Sequence, residues 1–144
     1  MPDRLPNLLF VCVENSCRSQ MAEGFARALG AGRVHAFSAG SRPSGEVYPR
    51  AIAFMRERGI DLGPQHSKGL DELPDTEWDH VVTMGCGDAC PLLPARHRVD
   101  WDLPDPKRLD DEGFRAIRDR IGTLVQELIA PLSRTPSGTP SRND

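Results

Sequence analysis

The stretch Leu8-Leu9-Phe10-Val11-Cys12-Val13-Glu14-Asn15-Ser16-Cys17-Arg18-Ser19 decides the reading of this chain. Residues 8–13 are a short apolar run and predict a buried strand. Residues 16–19 are small or polar. Met21, Ala22, Phe25, Ala26 and Leu29 then recur at helical spacing. A cysteine, five residues and an arginine therefore sit between a strand and a helix. A tight loop at that junction turns successive backbone N–H groups into one concavity, an anion nest. The helix that follows adds its unpaired N–H groups and positive end. Arg18 offers a planar fork that can hold two oxygens of a tetrahedral oxyanion. The same field favours the thiolate of Cys12, the nucleophilic form of cysteine. Asn15 tolerates left-handed dihedrals and can bond to backbone, so it suits fixing the loop. Ser19 could donate a hydrogen bond to the Cys12 thiolate. The plainer alternative is a buried strand-end cysteine beside a surface arginine. It leaves the order strand, loop, arginine, helix without a reason.

Working outward, Gly30 and Gly32 punctuate the end of the first helix. Residues 34–38 read as a second strand and residues 39–43 as a loop. Residues 49–58 read as a helix, with Pro49 in the first turn and Gly59 at the stop. Residues 60–77 read as loop and short helical turns. Residues 79–84 contain a third strand, and residues 98–102 make a weaker fourth. A Pro-rich loop over residues 103–107 follows. Phe114, Ile117, Ile121, Leu124, Val125 and Leu128 mark an amphipathic helix over about residues 110–130. Short strands alternating with helices predict an α/β fold, a parallel sheet covered on both faces. The chain has 144 residues, 38 % of them hydrophobic, which suits one domain with a single core. That domain is expected over residues 1–132. The tail, residues 133–144, lacks an apolar anchor and is expected to be flexible.

The net charge of -3 supplies no basic field for nucleic acid. No apolar run is long enough for a bilayer span. The opening MPDRLPNLLFVC lacks the three regions of a signal peptide, so the cytoplasm is the expected compartment. In such a reducing compartment four cysteines point to chemistry or metal more than to structural disulfides.

The segment CVENSCRSQMAEGFAR resembles the active-site segment of the low-molecular-weight protein tyrosine phosphatase fold, which also holds arsenate reductases that use thiol–disulfide relays. Downstream, SAGSRPSG, VVTMGCGDACP and DWDLPDP resemble the arsenate reductase branch, and the resemblance spans roughly residues 7–130. It implies a three-layer α/β/α sandwich around a four-stranded parallel sheet. It implies Cys12 as nucleophile, Arg18 as oxyanion clamp, and Asn15 and Ser19 as thiolate support. Glu14, Asn15, Ser16, Cys17, Arg18 and Ser19 would form the oxyanion-binding loop.

Cys86 and Cys90 are four residues apart and could share a helix face. Cβ atoms so spaced lie about 5–6 Å apart in a helix, whereas a disulfide wants about 3.5–4.5 Å. Oxidation of the pair would therefore unwind the turn, and Gly85 and Gly87 make rearrangement easy. The resemblance implies a relay from Cys12 to Cys86 to Cys90, with no bound cofactor. Reduced thioredoxin would be the electron donor. Other members of the family draw on glutathione and glutaredoxin. A zinc site built on the four cysteines is disfavoured by the spacing, and a metal-bound Cys12 could not attack.

Asp100, Asp102 and Asp105 crowd the end of the fourth strand, and Asp105-Pro106 resembles the family's general-acid loop. Glu14 departs from the small or neutral residues expected inside the oxyanion loop, and is expected to point outward. Cys17 reads as a packing cysteine or as a partner that traps oxidised Cys12. Asn15, Glu23 and Ser38 resemble a potassium-binding neighbourhood of some reductases, but no metal is assigned. Trp78 and Trp101 suit core or lid packing. His35, His66, His80 and His97 lack ligand spacing. The expected activity is arsenate reduction by a monomer, with tyrosine phosphatase as the alternative and a non-catalytic redox sensor as a third class. Lys107 and Arg108 follow Asp105-Pro106 where the phosphatase branch carries tyrosines, which favours a small inorganic substrate.

Overall fold

The computed structural model describes residues 5–85 and 93–132. The expectations for Cys86, Cys90 and the tail lie outside these residues. The elements run β1 (Asn7–Cys12), α1 (Arg18–Leu29), β2 (His35–Gly40), α2 (Pro49–Arg56), β3 (His80–Thr83), β4 (His97–Asp100) and α3 (Asp111–Ile129). Short 3-10 turns occupy Leu70–Glu72 and Pro106–Arg108. The four strands form one parallel sheet in the order β2-β1-β3-β4.

Every residue of β1 is buried, as its unbroken apolar run demands of a central parallel strand. Its side chains alternate between two cores. Leu8 and Phe10 join Val82 and the apolar stripes of α1, α2 and α3, including Met21, Phe54, Phe114 and Ile121. Leu9 and Val11 pack with Ala39, Trp78 and Val81, under Phe37, Leu70 and Leu73. The sheet is thus the middle layer of the α/β fold, with the three described α-helices on one face and the 3-10 turn Leu70–Glu72 among the described elements on the other. β4 is an edge strand exposed along its length, which explains its weak apolar signal. Trp101 packs on Phe10 and Trp78 on Phe37, so both tryptophans serve the core. His80 and His97 are register partners whose rings stack at 4.7 Å.

Two helix boundaries have clear local causes. α1 begins at Arg18, three residues before the apolar periodicity starts, because its first turn is built from the polar residues that support the loop. After α2, Gly59 takes φ 74°, Gly59 N donates to Arg56 O at 2.9 Å and Ile60 N donates to Met55 O at 3.1 Å. This is a Schellman stop, with glycine at the left-handed position.

Cys12 and Gly40 are partners at the carboxyl ends of β1 and β2, while Thr83 and Asp100 pair at the ends of β3 and β4. β2 lies on one side of β1 and β3 on the other. Open α/β sheets form their crevice at such a switch point, outside the carboxyl ends of the strands.

Candidate active site

The loop 13–17 connects β1 to α1, and the carbonyls of residues 13–16 all have partners in the surrounding scaffold. Val13 O accepts from Arg42 N at 2.8 Å, Glu14 O from Ser44 N at 3.0 Å, and Ser16 O from Tyr48 N at 2.8 Å. Asn15 O accepts from Gln20 Nε2 at 3.1 Å. In a trans peptide, the N–H of the next residue points opposite to the carbonyl, and the described residues contain no cis bond. The N–H groups of Glu14, Asn15, Ser16 and Cys17 therefore point away from these partners. Asn15 N makes this explicit by donating to Cys12 Sγ at 3.2 Å. Backbone N–H groups freed from their carbonyls' side in this way have the arrangement that an anion nest requires.

Asn15 has φ 50°, the one positive value at a non-glycine among the described residues. Its side chain holds that conformation. Oδ1 accepts from Gln20 Nε2 at 2.8 Å and Lys68 N at 2.9 Å, while Nδ2 donates to Ser19 Oγ at 2.8 Å. Ser19 Oγ in turn lies 2.8 Å from Cys12 Sγ. Because Asn15 supplies a proton to that hydroxyl, the serine's own proton is available to the sulfur. Gln65 fixes the buried Gln20 by donating to its Oε1 at 2.7 Å and its backbone O at 3.1 Å.

Cys12, Glu14, Ser16, Arg18, Asp105 and Lys107 all line one cavity of about 180 Å³. That is below the roughly 300 Å³ at which pockets for drug-sized organic ligands begin. Ser16 Oγ is buried there without a hydrogen-bond partner among the described residues, a donor suited to an anion. Arg18 Nη1 donates to Met84 O at 2.8 Å and to Leu103 O at 2.6 Å. It thereby ties the end of β3 and the segment before Asp105 to the loop. Gly85, at φ 73°, is held by its N–H donating to Asp100 Oδ1 at 3.1 Å.

Of the three aspartates after β3, Asp105 lines the cavity. It caps the turn Pro106–Arg108 by accepting from Lys107 N at 3.1 Å. Asp100 is committed to joining strands, accepting from Thr83 Oγ1 at 2.6 Å. Glu14 lies at the mouth of this cavity, in an ion pair with Lys107 at 2.7 Å. Burial, and then the charge of Asp105, push the Cys17 thiol up to about 12. Glu23 is buried and already partnered. It accepts from Ser38 Oγ at 2.5 Å and from Arg27, and Lys68 Nζ lies 3.6 Å away. Among the described residues, no group of three or more His, Cys, Asp or Glu side chains could hold a metal ion. None of their helices is long and apolar enough to cross a membrane.

Sequence reasoning missed Gln20, Gln65, Lys68 and Tyr48 as supports of the loop. Only the Gln20 position, two residues past the cysteine–arginine motif, carried any local hint.

A family model described as low molecular weight phosphotyrosine protein phosphatase matches residues 7–137. A glutaredoxin arsenate reductase from Synechocystis sp. is 41 % identical over 132 residues, covering 90 % of this chain and all of that protein. The solved structure of an arsenate reductase in a phosphate-binding state is similar at TM-score 0.81 and 41 % identity, covering 90 % of this chain and 100 % of that one. A thioredoxin-dependent arsenate reductase from Corynebacterium glutamicum is similar at TM-score 0.74 and 31 % identity, covering 92 % of this chain and 64 % of that one. With its sheet order, its cysteine–arginine loop and these matches in agreement, the chain belongs to the low molecular weight phosphotyrosine protein phosphatase family.

Proposed function

We propose that the protein is an arsenate reductase that works through a thiol relay from Cys12 to Cys86 to Cys90. The observation that carries the reading is the junction at Arg18. One guanidinium nitrogen reaches both Met84 O, at the end of β3, and Leu103 O, on the way to Asp105. A Cβ on Gly85 would lie 3.3 Å from that same nitrogen. The next residue in the chain is Cys86. The similarity to arsenate reductases along nearly the whole chain supports the same substrate.

Arsenate binds with its oxygens on the inward N–H groups and on the Nε–Nη2 edge of Arg18. Cys12 thiolate attacks arsenic, Asp105 protonates the departing oxygen, and water leaves a Cys12–arsenic(V) adduct. Cys86 thiolate then attacks Cys12 Sγ. The electron pair of the sulfur–arsenic bond stays on arsenic, which departs as arsenite, and a Cys12–Cys86 disulfide forms. Cys90 thiolate attacks Cys86, expelling Cys12 thiolate and leaving Cys86–Cys90 for an external thiol reductant. Two thiols lose the two electrons that arsenic gains. Glutaredoxin and thioredoxin types both occur among the similar proteins, which supports a thiol reductant of one of these two kinds as the donor.

The test is arsenate-dependent NADPH consumption with thioredoxin and its reductase, and in parallel with glutathione, glutaredoxin and glutathione reductase. Wild type turns over with one of the two systems, and Cys86→Ala and Cys90→Ala do not. Turnover that survives either substitution would sink the relay. Aryl-phosphate hydrolysis without arsenite production would make the protein a phosphatase instead.

A further inference from the structure

The ion pair between Glu14 and Lys107 joins residues 93 positions apart, one on the oxyanion loop and one on the Asp105 turn. Both side chains line the cavity over Cys12. Their backbones are anchored independently of the pair. Glu14 O accepts from Ser44 N and from Ser67 Oγ, each at 3.0 Å. Lys107 N donates to Asp105 Oδ1 at 3.1 Å, and Lys107 O accepts from Arg50 Nη1 at 3.3 Å. The ammonium sits 5.1 Å from the centroid of the Tyr48 ring, whose face steadies a cation. Only the two charged heads are therefore at liberty to change partners. Burial alone would pull Lys107 down, but the bond to Glu14 and the charges of Glu14 and Asp105 outweigh it and hold the ammonium charged.

We propose that Glu14 and Lys107 set the affinity of the cavity for tetrahedral dianions: Lys107 is an anion-binding group, and Glu14 is a built-in competitor that occupies it until a dianion arrives. The inference rests on the cavity being an oxyanion site. A carboxylate beside an anion nest repels the incoming charge, and an exposed ion pair is weak enough to be exchanged. A dianion entering the nest meets Arg18 and Lys107 as cations and Glu14 as the carboxylate paired with Lys107. It gains the ammonium only by displacing Glu14. Glu14 acts through Lys107 and is a positioning residue, whereas Lys107 touches the anion.

The experiment measures how inorganic phosphate protects Cys12 from iodoacetamide, followed by mass spectrometry of the peptide that carries Cys12. The proteins are wild type, Glu14→Gln, Lys107→Gln and Lys107→Arg. E14Q is expected to need about three- to tenfold less phosphate for half-protection, and K107Q about three- to tenfold more. These are the scales of one unit charge several ångströms away at an exposed site. K107R restores the positive charge and is expected to need less phosphate than K107Q, and added salt narrows all the differences. A pair that merely props the loop would move E14Q and K107Q in the same direction. That result overturns the proposal, as does a shift below twofold in both or a wild type that phosphate does not protect. Arsenate turnover is measured alongside. Opposite phosphate shifts without arsenate reduction refute the reductase and leave this pair's role standing. Arsenate reduction without opposite shifts refutes the pair's role alone.

Discussion

Replacing Gly40 with alanine tests the idea that the loop works only where it is. Gly40 ends β2 directly beside Cys12. A Cβ there would lie 2.5 Å from Val13 O and 2.9 Å from Asn15 N, where ordinary contact begins at 3.4 Å. Both obstacles are backbone atoms of the oxyanion loop, so no side-chain rotation relieves the clash. The loop must move by about 0.9 Å to restore contact with Val13 O. Such a shift would stretch the 2.8 Å bond between Arg42 N and Val13 O out of hydrogen-bond range. A misplacement of about 1 Å in a positioning element can cost roughly 100-fold in rate. Overpacking of a tight site costs about 1–3 kcal/mol of stability. G40A is therefore expected to fold, to lose about 100-fold in arsenate kcat/KM, and to unfold at lower urea than wild type. The control is Gly122→Ala, whose Cβ would meet the Phe25 ring at 2.9 Å, between α3 and α1. It is expected to lose stability and keep its turnover. Wild-type kcat/KM in G40A would refute the claim that the Gly40 contact positions the nest.

Three further outcomes follow from the geometry. Ser19→Ala removes the hydroxyl 2.8 Å from Cys12 Sγ. A hydrogen bond to a charged group is worth about 1.5–3 kcal/mol, so alkylation of Cys12 at neutral pH should fall about 10- to 100-fold; an unchanged rate would show that the serine does not support the thiolate. Cys17, pushed up to about 12 by burial, stays a thiol at neutral pH. Iodoacetamide mapping should label Cys12 and spare Cys17, and equal labelling would contradict the assignment. Hydrogen bonds from Arg115 and then Arg118 lower Glu57 from 4.5 to about 2. A folded value below the unfolded one gives stability that is present above about pH 4.5 and lost as pH falls through about 2. The urea midpoint of wild type should therefore exceed that of Glu57→Gln at pH 6 and converge with it as acid is added. A gap that stays constant between pH 6 and pH 2 would disprove the linkage.

Much of this protein was legible along the chain. The unbroken apolar run at residues 8–13 marks a central strand because both faces of a parallel sheet are buried. The period of α3 follows from one apolar stripe, Phe114 to Ile129, meeting one core. Gly59 marks the end of α2 because its left-handed φ suits glycine. Cys12, Asn15, Arg18 and Ser19 could be named in advance because strand, loop and helix are contiguous there, so their relative placement is a local matter.

What only the tertiary structure decided depends on contacts between distant segments. The family resemblance singled out Asp105, but spacing alone could not separate Asp100, Asp102 and Asp105, because which of them reaches the cavity depends on how β4 pairs with β3. It did not point to Gln65, Lys68 or Tyr48, which hold the loop from positions tens of residues away. It expected Glu14 to face outward but could not show that Lys107 neutralises it. A local motif determines which groups can bind an anion and attack. Long-range packing determines which carbonyls are turned away, and so where the N–H groups, the acid and the charges meet around Cys12.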